Sequence, residues 1–395
     1  MIQHAREKVH DTGVVRADIV GFISVVPKVR WPPDAVKSDY FELMLESYAE
    51  LITNPGRAYF DAVSRRAVQA FFENGGIKCF LFGVCIESEQ DLMVSDPYEV
   101  AFTPLIDRLR EDQDISILAM PALAYLPFDI DKKGDPIVPW QPIVDMLLRH
   151  CREVNHRFLI LDTPEDLHDR LLIRWVEKMR TQMAPYSCYG AIYYPWLKSG
   201  DETFPPSGTI AGTYARVDRE HQPFGVRWPP ANEILRGVTH PTVELEWNEA
   251  GDFSDVGINP IMSLPARGVV AWGARTLSRD PRWLHINSRR ITSFIGEQLR
   301  RDSEWVVFEN QRAELWSIVT RMVKNRLDQF WGAGLLSGSQ AGSEYLVQCD
   351  REINPPEVVD AGQVNVKVVL RPIATTESIV VELRLGSAGS DVGSI

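Results

Sequence analysis

Cysteine is scarce in this sequence, and the few that occur are scattered along the chain. None forms a Cys-x-x-Cys pair and their number is odd, so the sequence indicates neither a disulfide framework nor a thiolate metal site. We predict reduced, mostly buried thiols, which suits a protein that assembles in a cytoplasm. The five are Cys79, Cys85, Cys151, Cys188 and Cys349.

Long hydrophobic runs are missing as well. No apolar run approaches the ~18–20 residues that a membrane-spanning helix needs. The N-terminal stretch MIQHAREKVHDTG has no apolar signal core. We therefore expect a soluble chain with no membrane insertion and no Sec-type signal.

The common catalytic motifs do not occur. The sequence has no Gly-x-x-x-x-Gly-Lys-Ser/Thr or Gly-x-Gly-x-x-Gly loop, no His-Glu-x-x-His helix and no Gly-x-Ser-x-Gly turn. Asp162, His168 and Ser207 could be combined into a triad, but a strand end explains Asp162 and an exposed helical turn explains His168. The sequence thus predicts no catalytic residue, no metal site and no cofactor. An enzyme remains a rival class, which a Ser-His-Asp geometry in a pocket would support.

Charge is distributed unevenly along the chain. The formal net charge of −12 argues against nonspecific nucleic-acid binding as the main task, and we expect no nucleic-acid partner. Residues 265–335, in contrast, carry twelve Lys and Arg against seven Asp and Glu, a local net of +5. Basic side chains on the helices predicted there form either a solvated face or a surface complementary to an acidic partner. The candidates for such a surface are Arg289, Arg290, Arg300, Arg301, Arg321, Lys324 and Arg326.

Helical and strand patterns alternate through the first half of the chain. Helical spacing of apolar residues over 59–74 is followed by a nearly continuous apolar run at 77–86, which is typical of a strand buried on both faces. The same order returns further on, with helices predicted at 101–112, 142–152 and about 163–183, and strands at 115–123, 158–162 and 189–194. This alternation predicts an α/β domain with a mainly parallel sheet.

Three strand-like runs lie close together between residues 344 and 385. The second and third runs each place four apolar residues on one face, namely Val364, Val366, Val368, Leu370 and Ile379, Val381, Leu383, Leu385. Alternation with a period of two predicts half-buried strands. The third run is either paired within its own sheet or donated to a neighbouring subunit, because an open sheet edge offers unpaired N–H and C=O groups. The donated-strand candidate comprises Ser378, Ile379, Val380, Val381, Glu382, Leu383, Arg384 and Leu385.

Composition divides the chain into five predicted segments. We expect an N-terminal arm, an α/β domain, an irregular crossing rich in Pro and Gly, a second α/β domain, and a flexible tail of sequence GSAGSDVGSI. The corresponding ranges are 1–15, 16–198, 199–262, 263–385 and 386–395.

From about residue 205 onward the sequence contains several distinctive stretches, including PPSGTIAGTYARVDRE (205–220), RGVVAWGARTLSRDPRWLHINSRRI (267–291) and QCDREINPPEVVDAGQVNVKVVLRP (348–372). In these stretches and their order the sequence resembles the tail sheath proteins of contractile phages and bacterial contractile injection systems. The N-terminal half matches more loosely, through VRADIVGFIS (15–24) and AVQAFFENGGIKCFLFGV (67–84). Family members usually begin with an extended Pro-Gly-Val-Tyr-Val-Glu-like arm, whereas this chain has HDTGVVRAD (10–18).

The resemblance implies an architecture and a function. The architecture is a subtilisin-like, non-catalytic α/β domain followed by a C-terminal α/β sheath domain, with β-strand exchange between subunits. The function is that of a sleeve: stacked hexameric rings surround an inner tube, and contraction drives the tube through a target envelope without consuming nucleotide.

The resemblance also implies partners and a place of assembly. The partners are further copies of the chain, the inner tube protein, and baseplate and cap proteins. Assembly takes place in the bacterial cytoplasm, as part of a phage tail or of a tail-like particle that is released from the cell. In this setting the seven basic candidates would face the tube. A non-contracting baseplate, collar or cap-proximal component built on the same fold remains the alternative.

Overall fold

The structure of the protein is a computed structural model that describes residues 17–31, 40–87, 95–308, 313–340, 344–373, 377–386 and 389–394. The predicted N-terminal arm, residues 1–15, lies outside these ranges. A nine-stranded sheet and a four-stranded sheet are the largest elements.

The nine-stranded sheet has a parallel centre. Its six central strands run parallel to one another, and antiparallel strands are added at both sides. The mainly parallel sheet predicted from the alternation of helices and strands is therefore confirmed. In spatial order the strands are β11 (Glu233–Ile234), β14 (Gly268–Ala271), β13 (Ile258–Leu264), β8 (Gly190–Tyr194), β7 (Phe158–Asp162), β4 (Ile117–Ala119), β1 (Val20–Pro27), β3 (Cys79–Ile86) and β2 (Tyr40–Leu45).

Helices cover both faces of this sheet, which is why its central strands are almost continuously apolar. Along β1, Phe22 joins the apolar cluster on one face and Ile23 the cluster on the other. Helices α2 and α6 supply the first cluster, and α3, α4, α5, α8 and α9 supply the second. The helix bounds are α1 (Tyr48–Thr53), α2 (Ala62–Glu73), α3 (Ser95–Glu111), α4 (Gln141–Val154), α5 (Asp169–Gln182), α6 (Ser207–Glu220), α7 (Trp247–Asp255), α8 (Ile286–Asp302), α9 (Ala313–Gly332) and α10 (Pro356–Asp360).

The segment 199–262 is not the irregular crossing that its Pro and Gly content suggested. It contains the buried helix α6, and the predicted boundary at residue 262 falls inside β13 of the large sheet. Two glycines allow α6 to approach α2 closely. A Cβ on Gly208 would lie 2.4 Å from the carbonyl oxygen of Ala67, and a Cβ on Gly212 would lie 2.4 Å from that of Phe71. These glycines therefore permit helix packing, although in a sequence they are helix-weakening residues.

The four-stranded sheet is antiparallel and lies in the C-terminal part of the chain. Its strands in order are β15 (Tyr345–Gln348), β16 (Gln363–Leu370), β17 (Ile379–Gly386) and β18 (Gly389–Ser394). The predicted alternation is confirmed, because the inward residues of β16 are at most 1% exposed and those of β17 are 0% exposed. They belong to the same apolar cluster as residues of α8 and α9, so this sheet shares a continuous core with one face of the large sheet.

The last strand corrects the prediction of a flexible tail at 386–395. Residues 389–394 pair with β17, which places Val392 opposite Leu383 and Ser394 opposite Val381. The sequence signal was weak because Val392 is the single large apolar residue of β18, and glycine is depleted in strands.

The remaining strands are short and lie outside the two sheets described above. A hairpin and a three-stranded sheet consist of β5 (Asp129–Ile130), β6 (Pro136–Ile137), β9 (Leu197–Ser199), β10 (Glu202–Phe204) and β12 (His240–Pro241).

Candidate assembly interface

Arg290, one of the basic candidates, is buried and paired. On α8 it donates one hydrogen bond to Oδ1 of Asp218 at 3.1 Å and another to Oδ2, and both side chains are 6% exposed. It also donates to the carbonyl oxygen of Ala17 at 3.0 Å. Burial raises the pKa of Asp218, while the charge and hydrogen bonds of Arg290 oppose the rise. The prediction that Arg290 faces a tube is therefore wrong, because its charge balances a carboxylate in the interior.

Arg289, also on α8, is buried in a different environment. It is 1% exposed, and its guanidinium carbon lies 4.5 Å from the ring centre of Tyr189 and 4.3 Å from that of Trp283. It donates to the uncharged oxygens of Ser293, Asn155 and Ser394, and the thiol of Cys188 is a further side-chain partner. The prediction of a tube-facing side chain is wrong here too, since aromatic faces and neutral oxygens enclose the charge.

Arg300 and Arg301 are held by a buried carboxylate at the end of α8. Glu297 is 4% exposed and accepts hydrogen bonds from both arginines at 2.8–2.9 Å, which leaves the arginines 12% and 21% exposed. Burial favours a higher pKa for Glu297, but the hydrogen bonds from Arg300 and the charges of His156 and Arg300 outweigh it, so the pKa is lowered. Arg326 is likewise paired with Asp302 at 2.6 Å. The charge of these candidates is balanced within the chain.

Arg321 and Lys324 are exposed side chains on the outer face of α9. They line an open groove of about 480 Å³ between α9 and the edge strand β15. Tyr345 of β15 closes one side, and its hydroxyl donates to Oδ1 of Asp328 at 2.6 Å. Within the described residues, neither Arg321 nor Lys324 forms an ion pair. Of the seven candidates, these two are the best placed to bind an acidic partner.

The candidate exchange strand lies in the middle of its own sheet. Ser378 precedes β17, and Ile379–Gly386 pairs with β16 on one side and with β18 on the other. The expectation that this run leaves its own domain is therefore corrected, because both of its edges are occupied by strands of the same chain. Strand exchange between subunits stays a prediction, and β15 and β18 are the edges of this sheet at which it would take place.

Asp162, His168 and Ser207 do not form a triad in the structure. The backbone amide of Ser207, at the start of α6, donates to Oδ1 of Asp162 at 2.8 Å, and Ser207 is 0% exposed. Nδ1 of His168 lies 3.2 Å from the hydroxyl of Tyr194 instead. Burial raises the pKa of Asp162 to about 7, and its hydrogen bonds with Ser207 offset this only in part. The carboxyl group thus binds the N-terminal turn of a helix, and His168 contacts Tyr194, so the three residues are not arranged as Ser-His-Asp.

Metal-binding clusters and membrane-spanning helices are both absent from the described ranges. No group of three His, Cys, Asp or Glu side chains there is arranged to hold a metal ion. No helix in the same ranges is long and apolar enough to cross a membrane.

A polar cluster around the last strand escaped the sequence analysis. Asn155 follows α4 and Tyr189 precedes β8, and both form hydrogen bonds with Ser394 in β18. These residues are separated by up to 239 positions, so no local pattern relates them. The one signal available was Asn155 itself, since asparagine is favoured at a left-handed helix end, and its φ here is 58°.

The family of the C-terminal part follows from a direct comparison. Residues 278–386 match the phage tail sheath C-terminal domain. On the basis of this match we call residues 278–386 the sheath domain. All seven basic candidates and the candidate exchange strand lie within this sheath domain. The resemblance to tail sheath proteins of contractile systems is thereby confirmed.

Similar proteins extend the likeness beyond the sheath domain. The tail sheath protein of Vibrio phage KVP40 is 24% identical over 212 residues, which is 52% of this chain and 30% of the phage protein. The chain thus spans about a third of the length of that curated relative. The PVC sheath complex of an extracellular contractile injection system, in its contracted state, is 25% identical with a TM-score of 0.66 over 91% of this chain and 89% of that one. A chain of the contracted anti-feeding prophage baseplate is 22% identical with a TM-score of 0.71 over 95% of both chains. The mixed α/β fold is therefore that of sheath protein structures.

Proposed function

We propose that this chain is a structural sheath subunit that polymerises as stacked hexameric rings around an inner tube and contracts to drive the tube through a target envelope. The observation that carries the proposal is the combination of a sheath domain at residues 278–386 with a fold likeness to a contracted sheath over 91% of the chain. A likeness of this extent makes the whole chain, and not only its C-terminal part, suited to the same kind of lattice.

The C-terminal sheet supplies the means of connecting subunits. Its edge strands β15 and β18 carry backbone groups that can pair with a strand of a neighbouring copy. For such an exchange, β18 would leave β17 of its own chain and pair with a sheet of the neighbouring copy. A strand connection of this kind moves with the sheet to which it is paired, so subunits can rotate during contraction without separating.

The outer face of α9 supplies the contact with the tube. Arg321 and Lys324 are exposed beside the groove, and an acidic tube surface would complement them. Exposed ion pairs contribute only about 0–1 kcal/mol each. Contacts of this strength, repeated in every ring, hold the extended sleeve on the tube and still release it on contraction.

The proposed role requires no catalytic residue, metal or cofactor. In this role Ser207 and Asp162 stabilise the fold, because the carboxyl group of Asp162 accepts a hydrogen bond from the backbone amide at the start of helix α6. The partners are other copies of the chain, the inner tube protein, and baseplate and cap proteins. Assembly takes place in the bacterial cytoplasm, and the particle is a phage tail or a released tail-like particle.

A second candidate is a non-contracting component beside the baseplate or cap. The fold likeness to a chain of the anti-feeding prophage baseplate, with a TM-score of 0.71, favours it. Electron microscopy of intact particles separates the two candidates. A sheath subunit occupies the full length of the sleeve, whereas a baseplate or cap component is confined to one end.

A further inference from the structure

The hydroxyl of Ser394, the last described residue of β18, lies among three side chains from outside its sheet. Nη1 of Arg289 donates to Ser394 Oγ at 2.8 Å, and Ser394 Oγ donates to Oδ1 of Asn155 at 3.1 Å. The hydroxyl of Tyr189 lies 3.3 Å from the same Oγ atom. A single serine side chain therefore completes a network that joins the edge strand to the helical layer.

The three side chains are fixed independently of β18. Asn155 ends α4 with a φ of 58° and is 2% exposed, and its Oδ1 also accepts from Tyr189 and from Arg289. The guanidinium of Arg289 is held between the rings of Tyr189 and Trp283. A buried cation needs acceptors for its N–H groups. Ser394 supplies one of the side-chain acceptors of Arg289, together with Ser293 and Asn155.

Other described side-chain contacts hold β18 only weakly. Val392 is the one large apolar side chain on the strand, and it is 7% exposed. It packs over Gly296 of α8, where a Cβ would lie 2.8 Å from Val392 Cγ1. With one large apolar residue among six, the side-chain pattern of β18 does little to define which of its residues faces which residue of β17. A specific contact at Ser394 would define it.

We infer that Asn155, Tyr189 and Arg289 form a recognition site for the strand Gly389–Ser394, and that the hydroxyl of Ser394 is the group recognised. We call these three residues the Ser394 site. The site selects the register in which Ser394 faces Val381. It also gives the edge strand a defined affinity for this position, because a displaced strand leaves Nη1 of the buried Arg289 without its acceptor.

Hydrogen–deuterium exchange of the full-length chain tests the recognition directly, because it reports how often residues 389–394 leave the sheet. Ser394→Ala removes the hydroxyl, and the protection of these amides should fall at least about tenfold. Gly393→Ala is the matched control. A Cβ there would meet no atom within 4 Å, so protection should stay within about twofold.

Gly296→Ala serves as a positive control, because its Cβ would lie 2.8 Å from Val392 Cγ1 and push the strand outwards, and it should also reduce protection. Equal protection in the wild-type chain and in Ser394→Ala would overturn the inference. Loss of protection in Gly393→Ala as large as in Ser394→Ala would overturn it as well, since the effect would then not depend on the hydroxyl.

The inference rests on the proposed function only for the question of which subunit supplies the strand. Arg384 and Asp391 face each other across β17 and β18, at a spacing that a disulfide can bridge. With Arg384→Cys and Asp391→Cys together, the bond should close within one chain in the soluble protein and between chains in assembled sleeves. If every disulfide in the assembled sleeves joins two cysteines of the same chain, strand exchange is overturned as part of the proposed function. That result would leave the recognition of Ser394 in place.

Discussion

Arg290 on α8 and Asp218 on α6 form an ion pair in the interior of the protein, 72 positions apart in the sequence and each 6% exposed. The pair connects α8 of the sheath domain with α6, a helix that packs on the large sheet. Asp218→Asn leaves the guanidinium charged and without a counterion, so the free energy of unfolding should fall by about 3–5 kcal/mol. Urea denaturation followed by circular dichroism measures this loss.

The control for this pair is an exposed one. Glu382 and Arg384 on β17 approach only to 4.0 Å, with side chains 38% and 66% exposed. Glu382→Gln should therefore change the free energy of unfolding by no more than about 0.5 kcal/mol. A loss below about 1 kcal/mol for Asp218→Asn would show that the buried pair does not hold α6 and α8 together.

The second prediction concerns the charges on α9. Arg321→Glu combined with Lys324→Glu should leave the free energy of unfolding within about 0.5 kcal/mol of the wild type, because both side chains are exposed. The double variant should co-sediment with inner tubes less than the wild type does, and added salt should weaken the wild-type association.

Arg300→Glu is the contrasting variant. It should destabilise the fold itself, since Glu297 would then face a second carboxylate in a buried position. Unchanged tube association of the Arg321 and Lys324 double variant at low salt would exclude this face as the tube contact.

The third prediction separates the two last strands. A chain that ends at Gly386 lacks only β18 and should remain folded, but it should no longer form sleeves. A chain that ends at residue 376 should lose the fold of its sheath domain. It lacks Ile379, Val381, Leu383 and Leu385, each 0% exposed, whose burial stabilises the sheet by about 6–12 kcal/mol in total. Limited proteolysis and size-exclusion chromatography distinguish the outcomes, and sleeves built from the chain ending at Gly386 would contradict the role given to β18.

The fourth prediction is a pH dependence that arises from Asp162. Its pKa is about 7 in the folded chain and about 3.9 in an unfolded one. Between these values the folded state binds more protons than the unfolded state, so this group lowers stability as the pH rises from about 4 to about 7. Asp162→Asn keeps an acceptor for the Ser207 amide and cannot ionise.

The measurement is the difference in free energy of unfolding between Asp162→Asn and the wild type. It should grow in favour of the variant across this pH window and become constant above pH 7. Groups that titrate equally in both proteins, such as the buried His150 and His156, cancel in the difference. A difference that does not change with pH would show that Asp162 ionises as freely in the folded chain as in the unfolded one.

How far the sequence predicted the structure depends on whether the signal is local. The alternation of Val364, Val366, Val368 and Leu370 is local, and the strand it predicts is present with the expected face buried. The burial of Arg290 could not be predicted in the same way, because Asp218 lies on another helix and a charge count treats both as surface residues. Counting charges in 265–335 therefore overestimated the basic surface.

Helix α6 and strand β18 were missed for a related reason. Gly208 and Gly212 weaken a helix in isolation, and only the approach of α2 explains their presence. Gly389 to Ser394 has no strand pattern, and only the backbone of β17 and the Ser394 site hold it in place. In both cases the decisive contact is made with a residue far away in the sequence.

The central claim is that copies of this chain polymerise into a sleeve that contracts. Electron cryomicroscopy of purified particles tests it most directly, with an epitope tag inserted at Lys132, an exposed residue in the turn between β5 and β6. The account predicts tagged subunits in sixfold rings along the entire sleeve, in an extended state and in a shorter, wider one. Tags confined to one end of the particle, or a tagged sleeve with a single fixed length, would contradict it.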